Sequence, residues 1–391
     1  MKIKLINLTK ISWILLFISS ITFPSEKINY FIRIIALGMS IFTWLYLGKK
    51  NNFKIMKNSF SIFMLLYLVF AVFSTIISVN KFMSFFKAIE LFMDFIIASI
   101  ILQMDIKHKE DNFSVDNFVK MIVRCSLIVI SIIWIGYFIK PELFSTQSKG
   151  LLSKQLGANC LLSSNACGCT ATLVMIWYLV YGSKKEKIIV IPYMLITVIF
   201  SMSRTAILIS VIAFLLDWLL LNLKIKNVCI FAIALSVFYK YQDYFTKFFI
   251  RGQSDSDFST LSGRTLMWQE VIRLAKSSFI YGYGFGAGSN LIKLNGIEME
   301  SVHNGFFEVL LDLGIVGTVL LFFVFIFSLK FMIQRIRLNG IKESRYSVLI
   351  HVYLLVRTFF SLGIGGWHTI DTMLFIIITM NDIAIVIKNS K

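Results

Sequence analysis

The chain has 391 residues, of which 57% are hydrophobic and 15% charged, whereas a soluble domain is about 45–50% apolar and about 25% charged. Its mean hydropathy is +0.79 and long apolar runs recur from end to end. That excludes a soluble enzyme on one anchor, a secreted disulfide scaffold and a disordered regulator, and predicts an all-α polytopic membrane bundle.

At about 20 apolar residues per crossing, about twelve transmembrane helices are expected. The first five are Leu5–Phe23, Tyr30–Leu47, Phe60–Val79, Phe82–Gln103 and Met121–Ile139. Asn165–Tyr181, Ile188–Met202, Thr205–Leu221 and Val228–Tyr239 follow, the second and fourth of these being short. The last three are Asn304–Leu329, Tyr346–Leu362 and Thr369–Ile387. No small-x-small site follows the first run, so it reads as a span rather than a cleaved signal.

The net charge of +18 would suggest nucleic acid in a soluble protein. Here the excess lies in short loops, where it sets topology, and no nucleic-acid partner is expected. Lys2, Lys4 and Lys10 precede the first span, and Lys49, Lys50, Lys54 and Lys57 follow the second. Later clusters are Lys107, Lys109 and Lys120; Lys184, Lys185 and Lys187; Lys224 and Lys226; and Lys330, Arg335, Arg337, Lys342 and Arg345. With an even number of spans all share one side, which places both termini in the cytoplasm. The chain then reads as one membrane domain, 1–391, with two long outer loops, 140–164 and 240–303. A loop as long as the second is usually functional or disordered, and its tryptophan, amphipathic stretch and glycine cluster favour a folded one.

Of the four histidines, His303 and His368 fall on the outer face, and histidine is the usual general base near neutrality. A lone interfacial histidine is more often just a polar boundary residue, but His303 has company. Asn304 can cap the following helix, and Glu308 and Asp312 share a face below it. Upstream, Ser262 reads as an N-cap, and Arg264, Trp268, Val271 and Ala275 fall on one helical stripe. An arginine in a first helical turn opposes the macrodipole, which makes sense if an anion binds there; the plainer reading is an arginine snorkelling to headgroups. Arg204 lies between two spans with almost no loop, where a buried arginine is costly unless it meets a polar cavity or an anion, and its planar fork suits phosphate.

Gly282, Gly284 and Ala287 formally satisfy G-x-G-x-x-G/A, but a helix precedes them rather than a strand, so a glycine-aromatic turn near a sugar or lipid head is expected instead of a nucleotide site. Lys87, Glu90 and Asp94 share a face of the fourth span, either as a polar-cavity wall or with Lys87 paired to Glu90. Arg33, Asp217, Arg357 and Asp371 are further embedded charges that spacing alone does not pair. Five cysteines occur; Cys160, Cys167 and Cys169 cluster without metal-ligand spacing and read as small apolar residues.

Together these motifs resemble the O-antigen ligase and polymerase family. They are Ser203-Arg204-Thr205 after a span, Gly263-Arg264 with Trp268 in a long outer loop, Gly282 and Gly284, and His303-Asn304-Gly305 with Glu308, Gly314 and Gly317 opening a span. The resemblance runs from about Asn165 to Leu320, and the earlier spans match in hydropathy alone. It implies a multi-pass glycosyltransferase of the bacterial inner membrane, acting in lipopolysaccharide or capsule biosynthesis on a polyprenyl-diphosphate-linked oligosaccharide, with room for a chain-length regulator as partner. The family's two arginines and one histidine map onto Arg204, Arg264 and His303, with Trp268, Gly284, Asn304 and Glu308 as substrate-binding neighbours.

The chemistry expected is charge neutralisation of the diphosphate leaving group by the arginines and proton removal by His303. No metal and no cofactor are expected. A polymerase, passing the glycan to another lipid-linked unit, fits the Gly-Tyr-Gly-Phe-Gly and His-Asn-Gly context better than a ligase, passing it to lipid A–core. A transporter of lipid-linked sugars is a reading from another class. Transporter folds often show repeats and midplane sites, and neither is visible here.

Overall fold

Helix starts in this chain are set by small polar residues. Asn58, Ser114, Ser163, Ser183 and Asn304 each accept a backbone N–H from the first turn that follows them, which satisfies donors the helix itself leaves open. Ser183 and Glu186 do so reciprocally, as a capping box.

The computed structural model describes residues 2–51, 57–107, 114–147, 154–157, 161–221, 236, 240, 264–288, 302–361 and 363–389. Its helices are α1 (Lys2–Ser19), α2 (Glu26–Asn51), α3 (Ser59–Ser74), α4 (Lys81–Lys107), α5 (Val115–Ile139), α6 (Pro141–Phe144), α7 (Ser164–Tyr181), α8 (Lys184–Ser201) and α9 (Arg204–Leu221). After these come α10 (Arg264–Ser277), α11 (Gly305–Asn339), α12 (Ile341–Phe360) and α13 (Ile370–Asn389). The protein is an all-α, multi-pass membrane bundle, as expected. Among the described residues six helices are long and apolar enough to cross a membrane: α2, α3 with its 3-10 extension to Ile77, α5, α9, α11 and α13. Helices also occupy α1, α4, α7, α8 and α12, where further spans are expected. Of these, α4 and α12 carry embedded charges, α8 opens on four charged residues in its first turn, and the apolar part of α1 is short. The expected span Val228–Tyr239 lies outside the described residues.

Some boundaries differ from expectation. Lys330, Arg335 and Arg337 do not lie in a loop: α11 runs on to Asn339 and turns directly into α12 at Gly340. Long side chains that keep helix propensity extend the helix, and Arg335 is buried against Asp382 at 2.8 Å. His351 lies half-way along α12, bonded to Ser328 at 2.8 Å. Within 140–164 a two-stranded antiparallel hairpin appears, β1 (Ser145–Gln147) with β2 (Lys154–Leu156), pairing Thr146 with Gln155. Thr22 bridges Leu161 beside it.

The centre of the bundle is α13, whose apolar window is 83% buried, against 22% for the peripheral α2. It packs on α4, α5, α11 and α12. The embedded charges pair across helices. Arg33 takes Glu90 through a two-pronged contact, Arg345 meets Asp217 at 3.6 Å, Arg357 meets Asp371 at 3.0 Å, and Lys388 meets Asp105 at 2.9 Å. The Lys87–Glu90 pair, one of the two readings of that face, does not form, because Arg33 occupies Glu90.

Candidate active site

Arg204 opens α9 after a turn of two residues. Met202 caps α8 in the left-handed region (φ 52°), and Ser203 donates to Asn165 Oδ1 at 2.5 Å while accepting the Ala206 N–H. Thus the start of α7 is tied to the start of α9. Gly168 permits the approach: a Cβ there would lie 3.0 Å from the Cβ atoms of Ala206 and Ser203.

Arg264 opens α10; its side chain, like Ser262, lies outside the described residues. The helix buries Met267, Val271 and Leu274 against Val302 and Leu311; of the expected stripe, Val271 and Ala275 are buried. Trp268 is half-buried on its edge. Its indole donates to the Val302 carbonyl at 3.0 Å and its ring packs on Phe307, with centroids 5.6 Å apart.

His303 follows in the left-handed region (φ 51°), half-buried. Asn304 caps α11 as expected, accepting from Phe306 and Phe307, and its amide donates to the Phe359 carbonyl on α12 at 3.1 Å. One turn down, Glu308 is fully buried. Neither of its oxygens meets hydrogen-bond geometry, and the Val302 backbone and Lys87 are among its polar company.

The glycine cluster is a strap rather than an open turn. Helix α11 breaks at Gly314 (φ 61°, ψ −162°), which frees backbone groups. Tyr283 and Gly284 donate to the carbonyls of Leu311 and Asp312 at 3.0 and 2.8 Å, and Ile315 donates to Phe279 at 2.8 Å. The Asp312 carboxylate accepts from Gly286 and Gly288 at 2.7 and 2.6 Å. Gly284 (φ 100°) passes so close to Ser78 that a Cβ would overlap it. Lys87 closes the strap from α4, donating to Gly286 O at 3.0 Å with its ammonium 4.1 Å from the Trp367 ring centre.

Sequence reasoning missed the strap's anchors, Lys87 and Ser74, whose hydroxyl accepts the Phe285 N–H at 3.0 Å, and the Asn165–Ser203 tie. Only the glycine spacing hinted at the first. His368, the other histidine expected on the outer face, is buried and bonded to Asp94, Leu16 and Ser19. Burial pulls its pKa down, but the Asp94 carboxylate and its hydrogen bond outweigh that and raise it. Among the described cysteines, Cys125, Cys167 and Cys169 are free thiols; Cys160 and Cys229 lie outside the described residues.

A multi-pass helical membrane protein whose longest described helix, α11, opens on a His-Asn-Gly turn held by Trp268 and by α12 is the class that the fold defines. A family model described as O-antigen ligase matches residues 189–322. That match supports the resemblance of this segment to the O-antigen ligase and polymerase family. No curated protein matches the chain.

Proposed function

We propose that the protein transfers a glycan from a polyprenyl-diphosphate carrier to a sugar hydroxyl, in the inner membrane of a bacterium. The observation that carries the reading is that the matched family segment, 189–322, contains Arg204, Arg264, Trp268, Gly284, His303, Asn304 and Glu308. Arg204 and Arg264 hold the diphosphate and stabilise the charge that grows on it. His303 takes the proton from the attacking hydroxyl. A new C–O bond forms at the anomeric carbon, the bond to the diphosphate oxygen breaks, and its electron pair leaves with the lipid diphosphate. Trp268 and Asn304 set the His303 turn through Val302 and Phe359, while Glu308 places a buried carboxyl group beneath it. The arginines do the neutralising, and no metal is invoked.

The acceptor we favour is a second lipid-linked repeat unit, which makes the protein a polymerase; the Gly-Tyr-Gly-Phe-Gly and His-Asn-Gly context supports this. The second reading is transfer to lipid A–core by a ligase, which needs the same donor site. Membranes carrying the R264A or H303A variant are expected to lose glycan transfer by about 10²-fold or more, and wild-type transfer by either sinks the reading. A surface-glycan gel of a deletion strain separates the acceptors. A ladder collapsed to one carrier-linked unit marks a polymerase, whereas long carrier-linked polymer with no attached glycan marks a ligase.

A further inference from the structure

Arg357 sits near the end of α12 at the His303 end of the bundle, 6% exposed. One edge of its guanidinium is fixed: Nε donates to Asp371 Oδ2 at 3.0 Å, and Tyr353, one turn earlier, donates to Asp371 Oδ1 at 2.9 Å. The other edge is open. Nη1 is buried and has no hydrogen-bond partner among the described residues. A buried charged donor left unmade is costly, so an open edge held in place by two residues calls for an occupant.

Two candidate elements meet around this residue. On one side, Thr358 and Phe359 touch the turn that carries His303: the Asn304 amide donates to the Phe359 carbonyl, and the Gly305 backbone packs against the Thr358 methyl. On the other, Cys169 of α7 lies within electrostatic range of Arg357, and one turn before it Asn165 holds Ser203, the neighbour of Arg204. The packing of α12 on both α7 and α9 keeps these groups together.

We propose that Arg357 is a third diphosphate-binding arginine, whose open Nη1 edge donates to the leaving group of the lipid-linked donor. Asp371 and Tyr353 orient it. The proposal rests on the glycosyl-transfer reading above and adds to it a residue beyond the matched family segment. Because Asp371 neutralises the formal charge locally, the contribution is directional hydrogen bonding rather than bulk attraction. A diphosphate, with its additional oxygens, gains more from it than a monophosphate does.

The test uses the full chain in detergent with undecaprenyl diphosphate and undecaprenyl monophosphate as probes, beside a transfer assay. R357K retains a cation for Asp371 but cannot extend a second edge. Folded R357K and R357Q are expected to bind the diphosphate about 10- to 100-fold more weakly, to bind the monophosphate nearly as wild type does, and to raise the donor KM. Wild-type diphosphate affinity in folded R357K overturns the proposal. So does collapse of both variants, which would mean that the guanidinium serves the Asp371 pair alone. The transfer reading fails differently: wild-type protein that binds the diphosphate but moves no glycan, or an H303A variant of full activity, sinks that reading and leaves the diphosphate comparison standing.

Discussion

His368 lies 2.7 Å from the Asp94 carboxylate through Nδ1 and 2.7 Å from the Leu16 carbonyl through Nε2. Both ring nitrogens are engaged, and the raised pKa favours the imidazolium, which pairs with Asp94 and fastens the α12–α13 turn to α4 and α1. A histidine committed in this way has no lone pair to offer an incoming hydroxyl. Removing either partner leaves a buried charge, and H368A or D94N is expected to cost about 3–5 kcal/mol, read as a lowered thermal midpoint, while the folded fraction still transfers glycan. The pH dependence has a definite sign. The folded pKa is raised, so the contribution is complete below the ordinary imidazole pKa and fades as pH climbs through the raised value. D94N should flatten that slope in a series of melts.

Gly314 and Gly340 both have positive φ, 61° and 81°, but their surroundings differ. A Cβ at Gly314 would run into the Ile280 carbonyl, whereas nothing lies within 4 Å of one at Gly340. Both sit in a backbone region essentially reserved for glycine (ψ 161° at Gly340, −162° at Gly314), so G340A should cost only that preference, about 1–3 kcal/mol. G314A adds a collision to the same backbone cost. It should also expose the 279–288 strap to protease, and equal melts and equal proteolysis for the two variants would contradict this account.

Trp268 holds Val302 by one hydrogen bond and Phe307 by its ring. W268F deletes the bond and keeps most of the ring, so the loss of stability should be small, about 0.5–1.5 kcal/mol. Its larger effect should fall on kcat, since His303 follows Val302 directly. A rise in donor KM at unchanged kcat would instead mean that the indole touches substrate.

Arg335 and Asp382 form a buried pair at 2.8 Å, and Ser347 adds a hydrogen bond to the same carboxylate at 2.6 Å. R335A or D382A alone should destabilise by about 3–5 kcal/mol, and the apolar double variant R335M/D382L should recover most of it. The donor KM should be unchanged throughout. A double variant no better than either single one would mean that the pair stabilises the bundle outright.

Hydropathy made the helices legible, because a bilayer demands long apolar runs. Helix ends were less so: Lys330 to Arg337 look like a loop by charge, yet their stems and helix propensity carry α11 onward. Partners were not legible at all. Arg33 takes Glu90 because α2 packs on α4, a relation that spacing along α4 cannot reveal. At the candidate site, Asn304 announced itself as a cap, since the chemistry is local. The break at Gly314 did not, because Gly-x-x-Gly inside an apolar run reads as close packing until the strap is seen to pair with it.

That pairing sets an order of events during synthesis. The groups opened at Gly314 are answered by residues 279–284, which leave the ribosome some thirty residues earlier. Inside hydrocarbon, open backbone groups have no water to fall back on, so α11 is not completed by its own residues and waits on a segment made before it.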